Sequence, residues 1–168
     1  LGLRDALARA VPSLPAERAA EFSARYRYHY FAAEDTLELF TGAREFIAAL
    51  RDSGAHLAVA TGKSTPGLMR ALDATGLKPF FAATRCADQT HPKPHPAMLL
   101  ELSEELSVPT GRMLMIGDTT HDLGMAQAAR VAAIGVTYGA HPREQLAEFA
   151  PLALASSMSQ LHSLVLPG

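Results

Sequence analysis

Residues 41–168 predict an α/β fold, a parallel sheet with helices on both faces. Three observations carry this. Apolar runs of strand length alternate with segments of helical spacing. The runs are continuously apolar rather than alternating, as strands covered on both sides are. Polar clusters follow three of them, at the strand ends where open parallel sheets bind ligands. Residues 1–40 have another character: helical periodicity, with no strand.

The elements follow in order. Leu1–Ala10 has the character of a helix tail, and the prolines of Val11-Pro12-Ser13-Leu14-Pro15 break it. Ala16–Ala33 has helical spacing, with Phe22, Tyr26 and Tyr30 four apart in a stripe suited to core packing. Ala43–Arg51 predicts a short helix stopped at Ser53-Gly54. His56–Ala60 predicts a strand, and Thr65–Ala74 a helix ended by Gly76. Phe80–Thr84 predicts the second strand. Pro96–Leu106 predicts a helix with proline at its first position and Met98, Leu99, Leu102 and Leu106 inward. Met113–Ile116 and Val131–Val136 predict two more strands, separated by a helix over Asp122–Ala129. Short helices at Pro142–Phe149 and Met158–Leu164 close the chain, with a brief strand at Leu152–Ala155. There is no internal repeat and no low-complexity segment.

Composition narrows the function. At 168 residues the chain has about one domain's length. A net charge of −2 and the lack of a lysine or arginine run argue against a nucleic-acid or membrane-surface role, while leaving room for a small anionic substrate. Cys86 is the only cysteine, so no intrachain disulfide can form, and a reducing, cytoplasmic setting is expected. No apolar run reaches the roughly 18 residues a membrane span needs.

Three clusters hold the chemistry. In Ala60-Thr61-Gly62-Lys63-Ser64, Thr61 offers a hydroxyl and Gly62 lets backbone amides approach an oxyanion; an ordinary turn would look the same. In Thr90-His91-Pro92-Lys93-Pro94-His95-Pro96, three prolines stiffen the backbone, so Lys93 is presented already aimed, suited to a phosphate or a carboxylate cluster. His91 and His95 have no cysteine or further histidine nearby and the prolines forbid a helix, so a zinc site is not expected. In Met113–Asp122, an apolar run stops at Gly117, followed by Asp118 and Asp122. Two carboxylates that close repel unless a cation joins them, and Mg²⁺ accepts few protein oxygens, several waters and a substrate phosphate. The bland alternative is a helix cap by Asp118 or Thr119, with Asp122 favouring the helix dipole.

In their order and form these clusters resemble the haloacid dehalogenase superfamily, in particular its phosphoglycolate-phosphatase-like branch. ATGKS stands where that family has its second motif, PKP its third, and GDTTHD its GDxxxD fourth. HDLGMAQAARVAAIGVTYG extends the likeness, with Arg130 where the family usually has glycine. The resemblance implies a Rossmann-like core over 41–168 and a partial helical cap over 1–40. It implies that Thr61 hydrogen-bonds the transferring phosphoryl group and Lys93 balances charge. It implies that Asp118 binds Mg²⁺, with Asp122 binding it directly or through water. The substrate it implies is a small phosphorylated metabolite, hydrolysed through an aspartyl-phosphate.

One part of the pattern is absent. The aspartates stand at 5, 35, 52, 73, 88, 118 and 122, and none has another two residues later, so the DxDxT nucleophile motif is missing. The expectation is that the natural protein carries it, on a mid-sheet strand upstream of Leu1, and that the 168 residues alone turn over nothing. Two alternatives stay open: a phosphosugar mutase of the same fold, and a non-catalytic relative or interaction fragment. The paired acids argue against the metal-free dehalogenase branch.

Overall fold

A computed structural model describes residues 38–166 and the single position Arg18. The helices expected at Leu1–Ala10 and Ala16–Ala33, and with them the partial cap, lie outside the described residues. The rest follows the order α1 (Ala43–Asp52), β1 (Ala58–Thr61), α2 (Thr65–Thr75), β2 (Ala83–Cys86), α3 (Ala97–Glu105), β3 (Leu114–Gly117), α4 (Thr120–Ala129), β4 (Ala132–Val136), α5 (Arg143–Ala147), β5 (Ala153–Ala155) and α6 (Met158–Val165). Short 3₁₀ turns occupy Lys78–Phe80 and Thr110–Arg112.

All strand pairs are parallel. β1 lies beside β2, from Ala58 opposite Ala83 to Thr61 opposite Cys86. β4 lies between β3 and β5, with Gly117 opposite Gly135 and Val136 opposite Ala155. Among the described residues no ladder joins the two groups, so β1 and β3 each have one hydrogen-bonded neighbour. Burial records the consequence. Ile134–Val136, in the doubly paired β4, are buried, whereas no residue of β1 is, and Leu114 at the start of β3 is 40% exposed.

Helices on both faces hold the two groups together. Successive strand residues point to opposite faces. Ala60, Met113, Met115 and Ala133 meet Met98 and Leu99 of α3 and Met125, Ala126 and Ala129 of α4. On the opposite face, Ile116, Ile134 and Val136 meet Phe46 of α1 and Leu161 of α6. Val59 and Cys86 meet Leu68 and Leu72 of α2 and Ile47 of α1. α1 therefore spans both groups on one face, as the α3–α4 pair does on the other.

The second strand begins three residues later than the sequence predicts. Pro79 and the 3₁₀ turn carry Phe80 and Phe81 onto the α2 cluster as packing residues, and the ladder forms through Ala83-Thr84-Arg85-Cys86. Pro96 is the N-cap of α3 rather than its first helical residue. α4 starts two residues earlier than expected, because Thr119 caps it.

Candidate functional site

The polar clusters converge beyond the carboxyl ends of the strands. Thr61 and Cys86 lie level at the ends of β1 and β2, so the following loops leave from one edge. The loop after β2 carries Lys93 to Asp122, in the first turn after β3. That contact puts the ends of β2 and β3, and with them Thr61, on one side of the molecule.

The β3–α4 turn is built by close packing. A Cβ on Gly117 would stand 2.3 Å from Asp122 Cβ and 2.7 Å from its Cγ, so only glycine lets Asp122 lie against the strand. Thr119 and Asp122 form a capping box. The Asp122 N–H donates to Thr119 Oγ1 at 3.2 Å, and Asp122 Oδ2 accepts from the Thr119 N–H at 3.1 Å and its hydroxyl at 2.7 Å. Asp122 is 5% exposed, the one charged side chain among the buried described residues. Its Oδ1 accepts from Lys93 Nζ at 2.6 Å. The helix cap that the sequence offered as the alternative to a metal site is present, with Thr119 as N-cap and Asp122 completing the box.

Lys93 owes its aim to a braced loop. The Thr90 hydroxyl donates to Glu101, and Arg85 bridges Glu101 at 2.7 Å and Glu105 at 2.6 Å. The Thr90 hydrogen bond, then the Arg85 guanidinium, hold the Glu101 carboxyl below its usual range against the effect of burial. Inside the loop the His95 N–H donates to Pro92 O at 3.1 Å, and the Ala97 N–H to His95 Nδ1 at 3.2 Å. Pro94 lies on α4, its Cβ 3.2 Å from where a Cβ on Gly124 would be. His91 and His95 stack with ring centroids 4.4 Å apart, which the prolines did not lead one to expect. Among the described residues no group of three or more His, Cys, Asp or Glu could hold a metal ion.

Asp118 is half-buried, and the loop after β4 meets it. The Ala140 N–H donates to Asp118 Oδ2 at 2.9 Å and the His141 N–H to the Asp118 carbonyl at 3.1 Å. Asp118 Oδ1 carries no hydrogen bond among the described residues. In the same loop, burial and then the negative charge of Asp118 push the Tyr138 phenol up; its hydroxyl donates to Met158 Sδ at 3.0 Å. At the other cluster, Thr61 Oγ1 accepts from the Lys63 N–H at 3.1 Å, which leaves the hydroxyl proton for an outside acceptor. Gly62 is exposed, with nothing within 4 Å of where its Cβ would be.

Of the residues expected from sequence, Lys93 and Asp122 are thus in contact, and Asp118 stands in the same turn. Thr61 and Gly62 lie on the same side of the sheet, at the end of the neighbouring strand β1. Sequence reasoning passed over Ala140 and His141, although Gly139, three residues beyond the end of β4, was a usable signal.

The comparisons with known proteins bear on family and fold. A family model described as haloacid dehalogenase-like hydrolase matches residues 1–130. The chain is 41% identical over 124 residues to "Probable phosphatase IndB" of Dickeya dadantii, covering 73% of this chain and 54% of that protein. It is 31% identical over 136 residues to the phosphoglycolate phosphatase of Salmonella typhimurium, covering 80% of this chain and 54% of that one. The chain therefore spans about half the length of these curated relatives. Among solved structures, one titled a predicted phosphatase from Clostridium acetobutylicum superposes with a TM-score of 0.84 at 26% identity, covering 98% of this chain and 76% of that one. Motif order, sheet and comparisons lead to one conclusion: the chain belongs to the haloacid dehalogenase-like hydrolases.

Proposed function

We propose that this chain supplies the phosphate- and metal-handling part of a Mg²⁺-dependent phosphatase acting on small, phosphoglycolate-like phosphomonoesters. The observation that carries the reading is the Lys93–Asp122 pair, with Asp122 buried and Lys93 half-buried, beside Asp118 at the strand ends where this fold binds ligands.

The donor set fits a magnesium ion unequally. Asp118 has one oxygen held by Ala140 and one without a hydrogen bond among the described residues, as a ligand needs. Asp122 has both oxygens engaged, so its part is to hold Lys93 and to reach a cation through water. Asp118 would hold the ion, with water and substrate oxygens completing its shell. When bound, Mg²⁺ supplies charge neutralisation for the phosphoryl oxygens.

The chain's own residues do the remaining work. Phosphate esters resist attack because their charge repels nucleophiles, so positioning and neutralisation dominate catalysis. Lys93, fixed by its braced loop and by Asp122, brings a positive charge to the phosphate. The Thr61 hydroxyl donates to a phosphoryl oxygen, and Gly62 leaves the approach open. The nucleophile, an aspartate that becomes an acyl-phosphate, belongs on a strand between β1 and β3, outside these 168 residues. Cytoplasmic location agrees with the single, buried Cys86, and among the described residues no helix is long and apolar enough to cross a membrane.

The test is hydrolysis of p-nitrophenyl phosphate and phosphoglycolate by the full-length gene product, with Mg²⁺ and with EDTA. Turnover is expected only with the metal, and Asp118→Asn should abolish it. Turnover indifferent to EDTA, or retained in Asp118→Asn, defeats the proposal. A full-length product that binds Mg²⁺ and hydrolyses nothing supports the non-catalytic reading.

A further inference from the structure

The Asp118 carboxylate is gripped by a loop that belongs to neither neighbouring element. We propose that Gly139, Ala140 and His141, after β4, are positioning residues that aim Asp118 Oδ1 at its cation; this rests on the magnesium reading above.

Four contacts define the grip. The Ala140 N–H holds Asp118 Oδ2 at 2.9 Å, which restrains the carboxylate's rotation, and Oδ1 has no hydrogen bond among the described residues. The His141 N–H holds the Asp118 carbonyl at 3.1 Å, so side chain and backbone are tied to one loop. His141 Nδ1 accepts from the Thr120 N–H at 3.2 Å, joining the loop to the first residue of α4. A Cβ on Gly139 would stand 2.3 Å from both Asp118 Cβ and Oδ2 and 2.7 Å from Cγ. Real Cβ contacts do not come that close, so the loop lies flat on Asp118 only because residue 139 is glycine.

A loop whose only task was to end β4 would need none of this. The Thr137 N–H already bonds Ala155 O at 2.9 Å, which completes the strand's exit. The contacts that follow are directed instead at one carboxylate and at the first turn it begins. A metal-binding carboxylate depends on such neighbours, because a ligand free to rotate is paid for in lost affinity.

The experiment is a Mn²⁺ titration followed by electron paramagnetic resonance on the full-length gene product, with thermal melts alongside. Gly139→Ala is expected to weaken Mn²⁺ binding about tenfold, the lower end of the range for second-layer changes. Gly54→Ala, at a strained φ of +85° in the turn after α1, is the control: its melting temperature falls and its Mn²⁺ affinity stays. His141→Ala should weaken binding, and His141→Asn should restore it, since an amide oxygen can accept from the Thr120 N–H. This pair decides the matter if Gly139→Ala does not fold. Unaltered affinity in Gly139→Ala, or equal affinity in His141→Ala and His141→Asn, overturns the loop's role. If Asp118→Asn abolishes binding in that case, the magnesium reading still stands. A parent protein that binds no Mn²⁺ overturns both.

Discussion

Asp122→Asn removes the charge of the Lys93–Asp122 pair and keeps the capping box, because the residue 122 N–H still donates to Thr119 Oγ1 and an asparagine oxygen still accepts from the Thr119 N–H. At 2.6 Å the Coulomb attraction between Lys93 and Asp122 is about 6 kcal/mol for an effective dielectric of 20. Desolvation of both ions offsets much of that in the intact pair. The variant keeps the cost of burying the ammonium and loses the attraction. Removing one partner of a buried pair costs about 3–5 kcal/mol. The Lys93 side chain keeps 14% of its surface exposed against 6% for Asp122, which sets the expectation at the lower end, about 3 kcal/mol. For a domain of this size that lowers the melting temperature by roughly 6–12 °C. Urea unfolding of the full-length gene product, with Lys93→Met, Asp122→Asn and the double variant, closes a thermodynamic cycle. A coupling energy of about 2 kcal/mol is expected, and one below about 0.5 kcal/mol refutes the reasoning.

Gly117→Ala drives a Cβ to 2.3 Å from Asp122 Cβ, where the buried turn has little room to yield; a loss of about 2 kcal/mol by chemical denaturation is expected. Arg130 holds the left-handed conformation after α4, with φ at 56°, so Arg130→Gly should raise stability by about 0.5–1 kcal/mol in the same assay. Asp88 accepts from the Thr65 N–H at 2.9 Å and its hydroxyl at 2.9 Å, capping α2 from another loop. Asp88→Ala should cost about 1 kcal/mol at neutral pH. Burial alone would raise the Asp88 carboxyl, and the Thr65 hydrogen bonds outweigh it and hold it low. Its contribution is therefore complete above the unfolded carboxyl value and fades as pH falls through the folded one. Acid titrations of stability should converge for parent and variant below that point; parallel curves would exclude the cap.

The sequence exposes those parts of the candidate site that depend on side-chain identity at the strand ends and in the turns and loops that follow the strands. Thr61, Lys93, Asp118 and Asp122 are such residues, and the continuous apolar runs of β3 and β4 locate two of the strands. The expected second strand starts too early because Phe80 and Phe81 look like strand residues, and it stops too early because Arg85 does not; Arg85 is polar because it faces Glu101 and Glu105. The grip on Asp118 is invisible for a different reason. Ala140 contributes a backbone N–H, which any residue but proline possesses, so no residue type advertises it. Nor does spacing reveal that Lys93 seeks Asp122, 29 positions away, since that partnership exists only once the helices have packed.

Lys93 arrives from the two-stranded group and Asp122 belongs to the three-stranded one. A single charge contact is therefore also a suture across the seam in the sheet. Assembly of the polar cluster and alignment of the two strand groups become one event.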